Sequence, residues 1–153
     1  MHKIFIDTNI LVEFARKGGE QFKTAFLIEA TNLYPKLNKI WISDLVFNET
    51  HAFLTNKIDI DSANMYLKAL FKPNPKAKFS FELCYHRQFN HSQALIIASN
   101  PSYRDESKGL TMVDSLLLLQ MTDEDGLIFT GDKRMSFYFN DEPRQVAHYY
   151  SIK

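Results

Sequence analysis

The sequence predicts an α/β fold, a mainly parallel sheet with helices on both faces. Two observations carry that expectation. Short β-prone apolar runs alternate along the chain with stretches of helical periodicity. The segments between successive runs are of helix length, as a parallel sheet requires. A third supports it: 45% of the 153 residues are hydrophobic, including 13 Phe and 7 Tyr, enough to fill a core without disulfide or metal staples.

Lys3-Ile4-Phe5-Ile6 is a short apolar run and the first strand. Asp7, Thr8 and Asn9 are good helix-capping types, and Ile10, Leu11, Phe14 and Ala15 follow at helical spacing until Gly18-Gly19. Phe22, Phe26, Leu27 and Ala30 mark a second helix closing near Pro35, and Ile40-Trp41-Ile42 a second strand. Ser43 caps a helix carrying Leu45, Val46, Glu49, Ala52 and Phe53. Asp59 or Asp61 opens the next, with Ala63, Tyr66, Leu67 and Leu70. Phe79 to Leu83 alternates with period two and reads as a strand, and His86 to Ala98 as a helix. Asn100 to Gly109 is polar, contains Pro101, and reads as a loop. Thr111 to Met121 is a strong helix, Leu127 to Thr130 a strand, and Gln145 to Tyr149 a last strand.

Length suits one domain spanning residues 1–153, with no linker or repeat to divide it. Only 5 Gly and 5 Pro are present, which excludes low-complexity classes. Cys84 is the one cysteine, so no internal disulfide is expected and a reducing compartment is. The N-terminus meets Asp7 after three apolar residues, too few for a signal peptide, and apolar runs such as Leu116 to Leu119 fall far short of the ~20 residues that span a bilayer. A soluble, cytoplasmic protein is the expectation.

In a parallel sheet the ligand crevice lies beyond the carboxyl ends of the strands. Asp7 follows the first strand and Asp132 the Leu127–Thr130 strand, so both are expected at that end. Asp114 sits on a helix that is apolar almost all round, with Leu110, Leu117 and Leu118 as its helical neighbours. A carboxylate there needs a partner, a hydrogen bond or a metal. Glu49 lies among Val46, Phe47, Ala52 and Phe53, on a helix with no clean polar face. Each has an ordinary alternative: a helix cap for Asp7 and Asp132, a helix-end acid near Thr111 for Asp114, a solvated side chain for Glu49. Asp44 reads as a dipole partner at a helix start rather than a ligand. Four acids at one crevice would suit a hard cation such as Mg²⁺ or Mn²⁺ and phosphodiester chemistry. Neither phosphate-binding glycine loop, G-x-x-x-x-G-K-[ST] or G-x-G-x-x-G, occurs, and no Cys/His metal cluster competes.

Four segments together resemble the PIN-domain nucleases. Ile4-Phe5-Ile6-Asp7-Thr8-Asn9-Ile10-Leu11 is similar to their opening motif and Ser43-Asp44-Leu45-Val46-Phe47-Asn48-Glu49 to their second acidic segment. Leu110-Thr111-Met112-Val113-Asp114-Ser115-Leu116-Leu117 resembles the third, and Ile128-Phe129-Thr130-Gly131-Asp132-Lys133 the fourth. The segments follow in the family's order over residues 3–134, and length and format look most like the VapC-type ribonuclease toxins of toxin–antitoxin pairs. The resemblance implies a three-layer α/β/α sandwich and a Mg²⁺- or Mn²⁺-dependent endoribonuclease. It implies Asp7, Glu49, Asp114 and Asp132 as catalytic metal ligands, supported by Thr8 and Thr130. It also implies an RNA substrate, an antitoxin and a homodimer. Two departures stand out: Gly131 where a basic residue is frequent, and Met135 where Phe is frequent. The Phe22–Lys39 segment is also longer than a minimal member needs.

Lys+Arg and Asp+Glu both number 18, for a net charge of zero. Setting the four site acids aside leaves the rest of the surface about four charges positive, which suits RNA. Arg104, Lys108, Lys133, Arg134 and Arg87 flank the motifs and are candidate phosphate contacts, with solvated surface charge as the alternative. Tyr103 and Phe137 are candidate stacking rings, with packing as theirs. A haloacid-dehalogenase-like phosphatase would need an acid at the position of Asn9, and a non-catalytic RNA- or protein-binding domain would have lost acids that remain here. The segments Leu67–Phe71 and Phe53-Leu54 carry apolar surface for a two-fold contact.

Overall fold

The computed structural model describes residues 3–104, 108–138 and 144–152. Five strands form one all-parallel sheet: β1 (Lys3–Ile6), β2 (Lys39–Ser43), β3 (Ser80–Cys84), β4 (Gly126–Thr130) and β5 (Ala147–Tyr149). Their spatial order is β3-β2-β1-β4-β5. The chain therefore runs outward from β1 through β2 to β3, then returns to the other side of β1 with β4. The reversal falls between β1 and β4, and such a switch point opens a crevice at the carboxyl ends of its two strands.

Helices α1 (Thr8–Phe14), α2 (Gly19–Leu33), α3 (Asp44–Lys57) and α4 (Ile60–Phe71) link the first three strands. Helices α5 (His91–Ser99) and α6 (Met112–Asp123) link β3 to β4, and α7 (Lys133–Ser136) follows β4. Within this group α1 packs on α2 and α3, and α3 on α4, while α5 packs with α6. The result is the expected α/β/α sandwich. β4 is buried along its whole length, and Phe5, Ile6, Ile40, Ile42, Ile128 and Phe129 fill the centre with Leu117, Leu118 and Met121 from α6. The segment 22–39 contributes α2, whose Phe26 lies edge-on to Phe129 and Tyr150.

Capping follows the chemistry of the side chains. Asp7, Ser43, Asp59 and Thr111 each accept a backbone N–H at the start of α1, α3, α4 and α6. Asp59, not Asp61, opens α4.

The expected helix from His86 begins only at His91. Asp44 holds His86 in an extended loop, accepting both its backbone N–H at 3.1 Å and its Nδ1 at 2.9 Å. Asn90 then caps the helix by accepting the N–H of Gln93. In the loop expected over residues 100–109, Pro101–Tyr103 forms a 3₁₀ turn capped by Asn100, and residues 105–107 lie outside the described residues. The four-residue α7 has no counterpart in the sequence reading.

Apolar surface also falls differently from expectation. Leu54 and Leu67 are buried, and Leu70 and Phe71 pack against the core. Exposed apolar side chains include Ile58, Ile60 and Met65 on or beside α3 and α4, Phe89, Leu95 and Ile96 on or before α5, and Ile28 and Leu33 on α2. No helix among the described residues is long and apolar enough to cross a membrane.

Candidate active site

An open cleft of about 430 Å³ lies at the β1/β4 switch point, and Asp7, Glu49, Asp114 and Asp132 all line it. They arrive from four separate places: the end of β1, the second turn of α3, the first turn of α6, and the turn after β4. Sheet register makes the first junction. Ile6 stands opposite Phe129, so Asp7 emerges beside Thr130.

Asp7 is buried, 4% exposed. Its Oδ1 accepts the Thr8 N–H at 2.7 Å, and its Oδ2 accepts the Thr130 hydroxyl at 2.7 Å. The same Thr130 oxygen accepts the Asp132 N–H at 3.0 Å, so one hydroxyl ties two of the acids together. Thr8 donates its hydroxyl to Glu49 Oε1 at 2.8 Å, fixing α3 to α1. Asp114 shares a capping box with Thr111: its N–H donates to Thr111 Oγ1 at 3.1 Å, and its Oδ2 accepts the Thr111 N–H at 3.3 Å. Asp132 caps α7 by accepting the Arg134 N–H at 2.9 Å. The cap alternatives for Asp7, Asp114 and Asp132 are thus realised, and the same side chains still line the cleft.

The acids also feel one another. Burial, then the charge of Asp114, pushes the Asp7 carboxyl up to about 7, against the hydrogen bonds from Thr130 and Thr8. Burial and then Asp114 raise Glu49, and burial raises Asp114, with Asp132 adding to it and Arg134 opposing. Like charges held together in low dielectric produce this pattern, and a bound cation would relieve it.

The donor set suits a divalent ion in its chemistry. Carboxylate oxygens are the hard donors that Mg²⁺ and Mn²⁺ prefer, and the mutual repulsion favours a cation. Among the described residues, however, no three Asp, Glu, His or Cys side chains stand close enough to share one ion as placed. Each acid is turned toward a partner of its own: Thr8, Thr111, Thr130 or Arg134. The donor chemistry fits, and these side chains must close in to make a ligand shell.

The basic candidates divide. Arg134 lines the cleft, where it pairs with Asp132 and donates Nη1 to the Gly109 carbonyl at 2.7 Å. Arg104 and Lys108 are exposed beside Gly109, and Lys133 is exposed with its ammonium over the Tyr149 ring. Arg87 lies away from the cleft, 3.4 Å from Glu124. Tyr103 packs on Tyr138, as its ordinary alternative predicts, while Phe137 is exposed.

Phe53 and Arg16 line the cleft without being site candidates from the sequence, as do Val12, Glu13 and Ile152. Phe53 is four residues after Glu49 on α3 and so inherits its cleft-facing side, while Arg16 lies just past the end of α1, where it pairs with Glu13. For Phe53 that i+4 spacing was the available signal. Gly131 has a structural reason: a Cβ there would come within 2.6 Å of Ile152 Cδ1, and its N–H donates to Asn9 Oδ1 at 2.9 Å.

No protein-family model matches the chain, and no curated protein matches it. Among solved structures, the crystal structure of Mycobacterium tuberculosis VapC20, a sarcin–ricin loop cleaving toxin, is similar with a TM-score of 0.58. The match covers 84% of this chain and 88% of that one at 16% sequence identity. The two share a PIN-like fold.

Proposed function

We propose that this chain is a single-domain, divalent-metal-dependent endoribonuclease of the VapC-like toxin type. The observation that carries the reading is the convergence of Asp7, Glu49, Asp114 and Asp132, from four separated segments, on one cleft at the switch point of the sheet. The four acids would hold Mg²⁺ or Mn²⁺, which when bound supplies activation of water and stabilisation of phosphodiester charge. Thr130 and Thr8 keep Asp7 and Glu49 aimed into the cleft by their hydroxyl hydrogen bonds. Arg104, Lys108 and Lys133 are cations available to RNA phosphates, with Arg16 paired to Glu13 in the cleft, and Phe53 offers a ring on which an unpaired base can stack. The phosphatase alternative is disfavoured because Asn9, where that chemistry needs an acid, is engaged as an acceptor for the Gly131 N–H.

An antitoxin that covers the cleft, and a two-fold homodimer, complete the reading. The test is cleavage of single-stranded and hairpin RNAs with Mg²⁺ or Mn²⁺, wild type beside Asp7→Asn. Metal-dependent cleavage lost in the variant supports the assignment. Equal cleavage by both, or none by wild type across a panel of cellular RNAs, refutes it.

A further inference from the structure

The fourth acid of the cleft already has a cation, and it is part of the chain. Arg134 Nε donates to both oxygens of Asp132, at 2.9 and 3.1 Å, and Nη2 makes a further close contact to Oδ2. The Arg134 backbone N–H takes Oδ1 as well. A planar guanidinium pairs with a carboxylate in this forked way, and such pairs are among the strongest charge-assisted hydrogen bonds. The remaining nitrogen is anchored at the far side, where Nη1 donates to the Gly109 carbonyl. The pair is sheltered, its side chains 22% and 17% exposed, so water screens it little. Arg134 also reaches beyond its partner, since its charge lowers the proton affinity of Asp114.

We infer that Arg134 occupies the place a second divalent ion would take, so that the cleft binds one metal ion, on Asp7, Glu49 and Asp114, and Asp132 serves as the arginine's counterion. This rests on the metal-site reading above and refines it. Four ionised carboxylates and one guanidinium carry three net negative charges. One divalent ion leaves a single negative charge, and two would reverse the sign. In two-metal sites the second ion stabilises developing charge on an oxygen at the scissile phosphate. A guanidinium fixed at the rim of the acid cluster presents positive charge to the same region. Its geometry is set in advance by Asp132 and Gly109, which makes Arg134 a positioning residue for the phosphate rather than one more loose surface cation.

Metal binding without RNA tests this directly. Mn²⁺ titrated into the metal-free protein, followed by electron paramagnetic resonance of the free ion, should give one ion per chain for wild type. Arg134→Gln should give two, because Asp132 is released to act as a ligand, and Arg134→Lys should stay at one. Asp132→Asn should leave the first ion's affinity within about threefold, whereas Asp114→Asn should weaken it by more than about tenfold. Circular dichroism checks that each variant is folded. One ion in wild type with no change in Arg134→Gln, or loss of the first ion in Asp132→Asn, overturns the inference and leaves the metal-site reading standing. No Mn²⁺ bound by either wild type or Arg134→Gln overturns both.

Discussion

Replacing Asp7 by Asn should shrink a pH-dependent weakness of the metal-free protein, leaving the part that the raised Glu49 and Asp114 carboxyls contribute. The Asp7 carboxyl is raised from 3.8 to about 7, chiefly by burial. Its folded state thus holds the proton more tightly than the unfolded state does. Stability from this group is greatest below the unfolded value, falls as pH rises toward about 7, and is level above that. About three pK steps at 1.36 kcal/mol each give roughly 4 kcal/mol over the full window. Some 3 kcal/mol of that falls between about pH 5 and pH 8. Asn keeps the shape without the titration, but it cannot accept from both the Thr8 N–H and the Thr130 hydroxyl, a loss of about 1 kcal/mol. The variant should therefore melt a few degrees below wild type at the acid end and roughly 4–8 °C above it at the alkaline end, by the scaling for a chain of this size. Thermal melts in chelator, followed by circular dichroism across that range, make the comparison. Parallel profiles for the two proteins would show that Asp7 is not a buried, repelled carboxylate.

Thr8→Val removes the hydroxyl on Glu49 and should weaken Mn²⁺ binding by about 1 kcal/mol, roughly fivefold, with the fold unchanged; calorimetric titration reads it. Gly131→Ala should destabilise by no more than about 1 kcal/mol, because the atom it meets is the movable end of the half-buried Ile152 side chain, and Ile152→Val should remove that cost in the double variant measured by denaturant unfolding. Light scattering at micromolar concentration should give about twice the 17.8 kDa chain mass if the two-fold pairing holds. A mass that stays at one chain on concentrating rejects the pairing.

The strands and the cap residues were readable because their signals are local. Ile4-Phe5-Ile6 can do little but form a buried strand, and Ser43 and Thr111 stand directly before apolar helical runs. Asp114 was readable because a carboxylate on an apolar helix is an anomaly that demands a partner. The start of α5 was not, because the apolar spacing continues back through Phe89 while Asp44, more than forty residues earlier, holds His86 out of the helix. α7 is too short for any period to show. The pairing of Arg134 with Asp132 was hidden for a different reason. A basic residue two positions from an acid reads as surface charge until the Gly109 carbonyl, on another segment, is seen to aim it.

Two of the four cleft acids begin a helix and a third lies in a helix's first turn, and that restricts how this protein can vary. Asp7, Asp114 and Asp132 each hold a backbone N–H of a capping turn while lining the cleft. Aspartate is the carboxylate short enough to reach its own turn and still stay at the rim. Glutamate at position 7 or 132 would carry its charge one methylene outward, and either the helix start or the cleft would lose it. Position 114 is the third residue of a capping box, where glutamate also reaches the Thr111 N–H. Glu49, in the second turn of α3 and free of capping duty, has no such limit, and its longer arm is what spans from α3 to Thr8. Exchange between the two acids should therefore be tolerated unequally along this cleft. At positions 7 and 132 an added methylene would be selected against by folding itself, before any reaction is considered, and at positions 114 and 49 by reach alone.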